Sequence, residues 1–336
     1  MIPNFLPFAI FMRTILTCAL LVIALCTGCP NPDKPKPANT VETPPETSDL
    51  NEIIPYVEPL VPRKDPPEET LPAPETTGVT SAVREKYAAE TIPSPPIGDL
   101  TAQMDQYVAK IGDALEDLEG SRKYLEDAAD VVRDASALAL IALAVGLAEE
   151  DSKYKQSAPN IIVAAKNLAA AQSLAAGQKA YDELKSSLTN SVAGQPLSWT
   201  TKIADLKPVM KSQPNLSSAV NRATNTEAKL DAALGSANAQ LRVYAPLAAL
   251  SVISQGGIPN VIETKKPQAT AEWKKLSEEF RDAALHTHAA AYQYAQDKAD
   301  GKEPSYAAFK TRFAVMMNSC DDCHQAFYPD AIGKTE

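Results

Sequence analysis

The stretch YAAFKTRFAVMMNSCDDCH, residues 306–324, decides the fold. Phe309, Phe313, Met316, Cys320 and Cys323, with Phe327 just beyond, recur at intervals of 4, 3, 4, 3 and 4. That rhythm places them on one stripe of a helix, the stripe that packs into a core. Both cysteines fall on it, and His324 adjoins them. The preceding segment, AEWKKLSEEFRDAALHTHAAAYQYA, carries a matching stripe of Trp273, Leu276, Phe280, Ala283, Ala284, Ala291 and Tyr294. Its alanines let helices approach closely or leave room for something flat.

Working outward, the chain from about residue 98 is rich in Ala, Leu, Lys, Glu and Asp, and strand signals are nearly absent. The pattern predicts an all-α protein with helices near 98–119, 121–149, 159–191, 199–212, 217–255, 268–299 and 303–328. Gly194 with Pro196, Pro214, Gly256-Gly257 with Pro259, and Gly301 with Pro304 supply the expected breaks. The order of elements repeats. VVRDASALALIALAVGLAEED, an Ala-rich helix ending in Tyr181 and a shorter helix ending in LKPVMKSQPN make the first pass. LRVYAPLAALSVISQGG, the helix of Trp273 and the helix of Cys320 make the second. Two tandem antiparallel helical bundles are expected, over 98–215 and 216–336.

The first residues predict export. Met12-Arg13 precedes an apolar run from Ile15 to Leu25 and then Cys26-Thr27-Gly28-Cys29. Leu25 to Cys29 resembles the lipobox of bacterial lipoproteins, so residues 1–28 read as the signal and Cys29 as the lipidated residue. Residues 29–97, dominated by Pro, Glu and Thr, have too few apolar side chains for a core and read as a semi-rigid tether. The net charge of −10 and the lack of a Lys/Arg cluster argue against nucleic acid. Of five cysteines, only Cys320 and Cys323 lie beyond the signal and lipobox, so this is no disulfide scaffold.

Cys320-Asp321-Asp322-Cys323-His324 has the spacing that attaches a c-type haem. Each thiol adds across one vinyl group, and the following imidazole serves as the metal ligand, its other ring nitrogen free to be oriented. Two other readings stay open. A thioredoxin-like pair normally follows a strand at a helix N-terminus, and a structural zinc needs four ligands, with His286 and His288 the remaining candidates.

FAVMMNSCDDCHQAF, a helix ending in C-x-x-C-H close to the C-terminus with no Met after it, resembles the class II cytochromes c, the cytochrome c prime family of four-helix bundles. The resemblance covers about 217–330. It implies one covalent haem c held by Cys320 and Cys323, with His324 as proximal iron ligand. Residues 98–212 resemble the same bundle, but VMKSQPNLSSAV lacks Cys and His, which makes this half a degenerate copy without haem. The family would turn the distal haem face toward ANAQLRVYAPLAALSVISQ, where Leu247 and Leu250, with Tyr244, are expected to cover it. Pro246 is expected to bend that helix. His288 and His286 are the rival sixth ligands; His288 flanks the buried stripe, while His286 is expected to face solvent. Met316 and Met317 share a helix with His324 and cannot reach the opposite face.

The expected function is electron transfer outside the cytoplasm, not catalysis. The partners expected are a redox protein steered by acidic groups such as Asp321 and Asp322, and the membrane through a lipid at Cys29. A small diatomic gas at an open distal site and a dimer are the further candidates. The expected location is the periplasm or cell envelope.

Overall fold

Alanine and leucine fill two segments, 134–145 and 245–254, and both become helices buried on every side. A helix without a polar face has no side to give to water, so other helices must surround it. The computed structural model describes residues 94–118, 124–190 and 196–329. The expected signal, the lipid site Cys29 and nearly all of the tether lie outside the described residues.

Among the described residues the chain is all-helical, with no strand. In chain order the helices are α1 (Ile97–Asp117), the short α2 (Tyr124–Asp127), α3 (Ala129–Leu147), α4 (Ala158–Ala169) and α5 (Leu174–Ser187). There follow α6 (Leu206–Thr224), α7 (Glu227–Leu234), a π-helical turn (Gln240–Tyr244), α8 (Ala245–Gly256), a 3-10 turn (Ile258–Glu263), α9 (Thr270–Ala299) and α10 (Tyr306–Phe327). No helix among them is long and apolar enough to cross a membrane.

The buried helices are α3 and α8. Around α3 pack α1 and α4, and α5 closes against α4 and α1. Around α8 pack α6 and α9, with α10 along α9. The halves share more than a border: α3 touches α8, α6 lies on both, and α1 reaches α8. Leu140 and Ile141 therefore belong to the same core cluster as Leu247 and Leu250.

Several expected boundaries move, each for a local reason. The helix expected over 159–191 is two, because the Ser173 hydroxyl accepts from the Ala176 amide and starts α5. The helix expected over 217–255 is broken in the same way at Thr226, which caps α7. Pro214 does not break α6, which runs through it. An interior proline costs about 3 kcal/mol, but Val209, Leu216 and Val220 bury on α3 and α8, at roughly 1.5–3 kcal/mol each. The division expected at 215/216 consequently falls inside α6. Pro246 stands at the start of α8, and the turn before it is π-helical, with the Ala245 amide donating to the Gln240 carbonyl. At the other end of α9, Gly301 takes φ +71°, Lys302 N donates to Asp297 O and Gly301 N to Lys298 O. This left-handed stop returns the chain into α10.

A shared core predicts shared unfolding. Trp199 reports on the first half and Trp273 on the second, so variants keeping one tryptophan each should give coincident urea transitions. Leu140→Ala should lower both midpoints together, with a loss of stability of about 2–5 kcal/mol. Two separated transitions would mean that the halves fold independently.

Candidate cofactor site

The stripe of α10 packs as its spacing demands. Phe309, Met316 and Phe327 are buried, Phe313 is half-buried, and Cys320 and Cys323 are half-buried thiols. Cys320 packs against the large core. Cys323 packs against a smaller cluster of Leu206, Val261, Trp273 and Phe327. Two interactions fix the end of α10. The Trp273 ring meets Phe327 edge-on with centroids 5.0 Å apart, and the indole Nε1 donates to the Gly257 carbonyl at 3.2 Å.

Cys320, Cys323 and His324 all line one cavity of about 160 Å³. Helix α9 contributes an apolar wall of Trp273, Leu276 and Phe280. Helix α6 contributes Met210, Gln213, Pro214 and Ser217, and the end of α8 contributes Ser254 and Gly257. Met317, partly exposed, lines it next to Cys320.

Burial dominates the electrostatics. It pushes the Cys320 thiol up to about 12, helped by Asp321 and Cys323, and the Cys323 thiol up to about 11, helped by Asp322 and Glu272. Both are therefore protonated at neutral pH. A dithiol that exchanges disulfides needs the opposite, a stabilised thiolate.

The residues fit a flat apolar group held by two sulfurs and a nitrogen. Two thiols and an imidazole face a single space, and its main walls are aromatic and aliphatic. A bare ion fits less well, because no group of three or more His, Cys, Asp or Glu side chains converges among the described residues, and a structural zinc takes four.

Other candidates lie elsewhere. Leu247 and Leu250 are wholly buried in the shared core and do not line the cavity. Leu247 precedes Ser254 by seven residues, about 10 Å along the helix, and Tyr244 is further still. Tyr244 instead stacks on Tyr292, centroids 4.0 Å apart. Neither His286 nor His288 lines the cavity. His286 is buried rather than solvent-facing, because α10 covers that side of α9, and Arg312 Nη1 donates to its Nδ1 at 2.8 Å. His288 is also buried, its Nε2 2.8 Å from Asp99 Oδ2. The Tyr292 hydroxyl donates to the same oxygen at 3.1 Å, and Gln240 donates to Asp99 Oδ1 at 3.1 Å. This cluster ties α1 to α9 and to the π turn.

Met210 was not singled out by the sequence. Reading Pro214 as a helix break assigned LKPVMKSQPN to the end of the first half. Running the helix through Pro214 would have put Met210, Gln213, Pro214 and Ser217 on one face, at i, i+3, i+4 and i+7.

Comparison with known protein families, curated proteins and solved structures finds no match.

The raised thiols give a test. In the folded chain both should react slowly with iodoacetamide at pH 8, with rates climbing toward about 11 and about 12. The folded state holds these protons more tightly than the unfolded state, whose thiols titrate near 8.5. Their contribution to stability is therefore complete below that pH and is lost as pH rises through the folded values. Rapid labelling of the folded chain at neutral pH would contradict the burial described.

Proposed function

We propose that this chain is an exported c-type cytochrome with one covalent haem, working in electron transfer and not as an enzyme. The single observation behind this is that Cys320, Cys323 and His324 line one cavity whose main walls are apolar. Each cysteine would add its S–H across a vinyl group, the sulfur forming the thioether bond and the hydrogen going to the neighbouring carbon. His324 would be the proximal iron ligand. When bound, the haem supplies an iron that changes by one electron.

The remaining work falls to the protein. Trp273, Leu276 and Phe280 exclude water and lower the local polarity, which sets the potential together with ligation. Met210 lines the same cavity from a helix other than that of His324 and would be a sixth ligand. Leu247 and Leu250, expected to cover the distal face, do not line this cavity. Asp321, Asp322 and Glu272, the acids acting on the two thiols, would orient a redox partner with a basic face.

The two tandem bundles of cytochrome c prime type belong to this reading. Each half has a buried Ala/Leu helix followed by two further helices, α3 with α4 and α5, α8 with α9 and α10. The first half would be a copy without haem. A lipid at Cys29 and the Pro-rich tether would hold the domain at the membrane, in the periplasm or cell envelope.

The test is an absorption spectrum of protein made in a host that matures c-type haem, oxidised and reduced, with and without carbon monoxide. A low-spin spectrum indifferent to carbon monoxide is expected, with Met210→Ala becoming high-spin and taking up the gas. A wild-type chain that binds carbon monoxide at once would leave Met210 off the iron. Gas binding would then replace electron transfer as the reading.

A further inference from the structure

The walls of the cavity are unequal. Helices α9 and α10 pack along each other, and Trp273 is locked to Gly257 and Phe327. The wall from α6 is different. Pro214 sits on the cavity face four residues after Met210, and a proline has no N–H to give to the Met210 carbonyl. The backbone ladder of α6 is therefore interrupted beside the cavity. Its first turn is fastened by a side chain from another element. Glu263, at the end of the 3-10 turn, accepts from the Leu206 amide at 3.0 Å and from Asn260 Nδ2 at 2.9 Å, and pairs with Lys202 Nζ at 2.7 Å. Asn260 also donates to the Ala204 carbonyl at 2.7 Å.

Size supplies the second observation. The cavity measures about 160 Å³, whereas sites that enclose small organic ligands run to roughly 300–1,000 Å³. Full enclosure of a flat group of haem size would take the movement of a wall. The α6 wall is the one whose backbone ladder lacks a hydrogen bond beside the cavity, while Leu206, Val209 and Ser212 on its other side are buried.

We propose that residues 206–213 are a strap over the cavity, hinged at Pro214 and latched by Glu263. The strap carries Met210, so opening it enlarges the cavity and withdraws that side chain in one movement. What the strap closes over rests on the haem reading above; the motion itself belongs to the chain.

Hydrogen–deuterium exchange on the full chain without haem tests it directly. Peptides covering 206–213 should exchange about tenfold or more faster than peptides from 273–285 of α9, as expected for a locally opening element. Pro214→Ala, which restores the donor, should slow the strap about tenfold, and Glu263→Gln should speed it. Equal protection of strap and α9 in the wild-type chain overturns the proposal, whatever the variants do. A fast strap that Pro214→Ala leaves unchanged also overturns it, because the hinge is then not at Pro214. A chain that never acquires haem yet shows the expected exchange removes the haem reading and leaves the strap standing. A haem-loaded chain with a rigid α6 does the reverse.

Discussion

The structure depends on the packing of α3 against α8. Each presents apolar side chains all round, and each is satisfied only when enclosed. Their approach is close: a Cβ added at Gly256 would come within 2.6 Å of a Leu140 methyl carbon. With the pair fixed, α6 lies in contact with both, and its apolar stripe of Val209, Leu216 and Val220 faces them. The opposite consequence follows for Met210, Gln213 and Pro214, which are turned toward α9 and α10. The wall of the cavity is thus set by the core of both halves, not by the haem-motif half alone.

A buried carboxylate strengthens that dependence. Asp99, 1% exposed, is far too costly to bury without partners. Its donors come from elsewhere in the chain: His288 and Tyr292 from α9, and Gln240 from the π turn. The first turn of α1 is therefore bound to the helix that carries Trp273 and Phe280. Losing any one donor would leave a buried group short of a hydrogen bond, a penalty of about 1–3 kcal/mol. This polar contact fixes the register between halves that apolar packing alone would leave looser.

Sequence periodicity made the helical class and the stripes of α9 and α10 legible, because a residue at a fixed interval marks a face regardless of what covers it. It also made Cys320, Cys323 and His324 legible, since neighbours on one helix stay neighbours. It failed where the answer depended on distant segments. Pro214 carries a strong local signal for a break, and only the burial of Val209 and Leu216 on α3 and α8 overrides it. Leu247 and Leu250 are placed at a distal face by the family resemblance alone, yet they are wholly buried in the core that both halves share. His286 looked solvent-facing because nothing in its own helix announces Arg312. Asp99 has no local mark at all, since its partners lie more than a hundred positions away.

The cavity brings together two protonated thiols, one imidazole and largely apolar walls. The proposed haem would be joined to the chain through both sulfurs. Intact-mass measurement of the denatured protein, matured in a host that attaches c-type haem, tests this most directly. A mass increase of one haem is expected, surviving denaturation and disappearing when Cys320 and Cys323 are both replaced by alanine. A wild-type chain that carries no added haem mass under conditions where a control cytochrome is fully matured would contradict it.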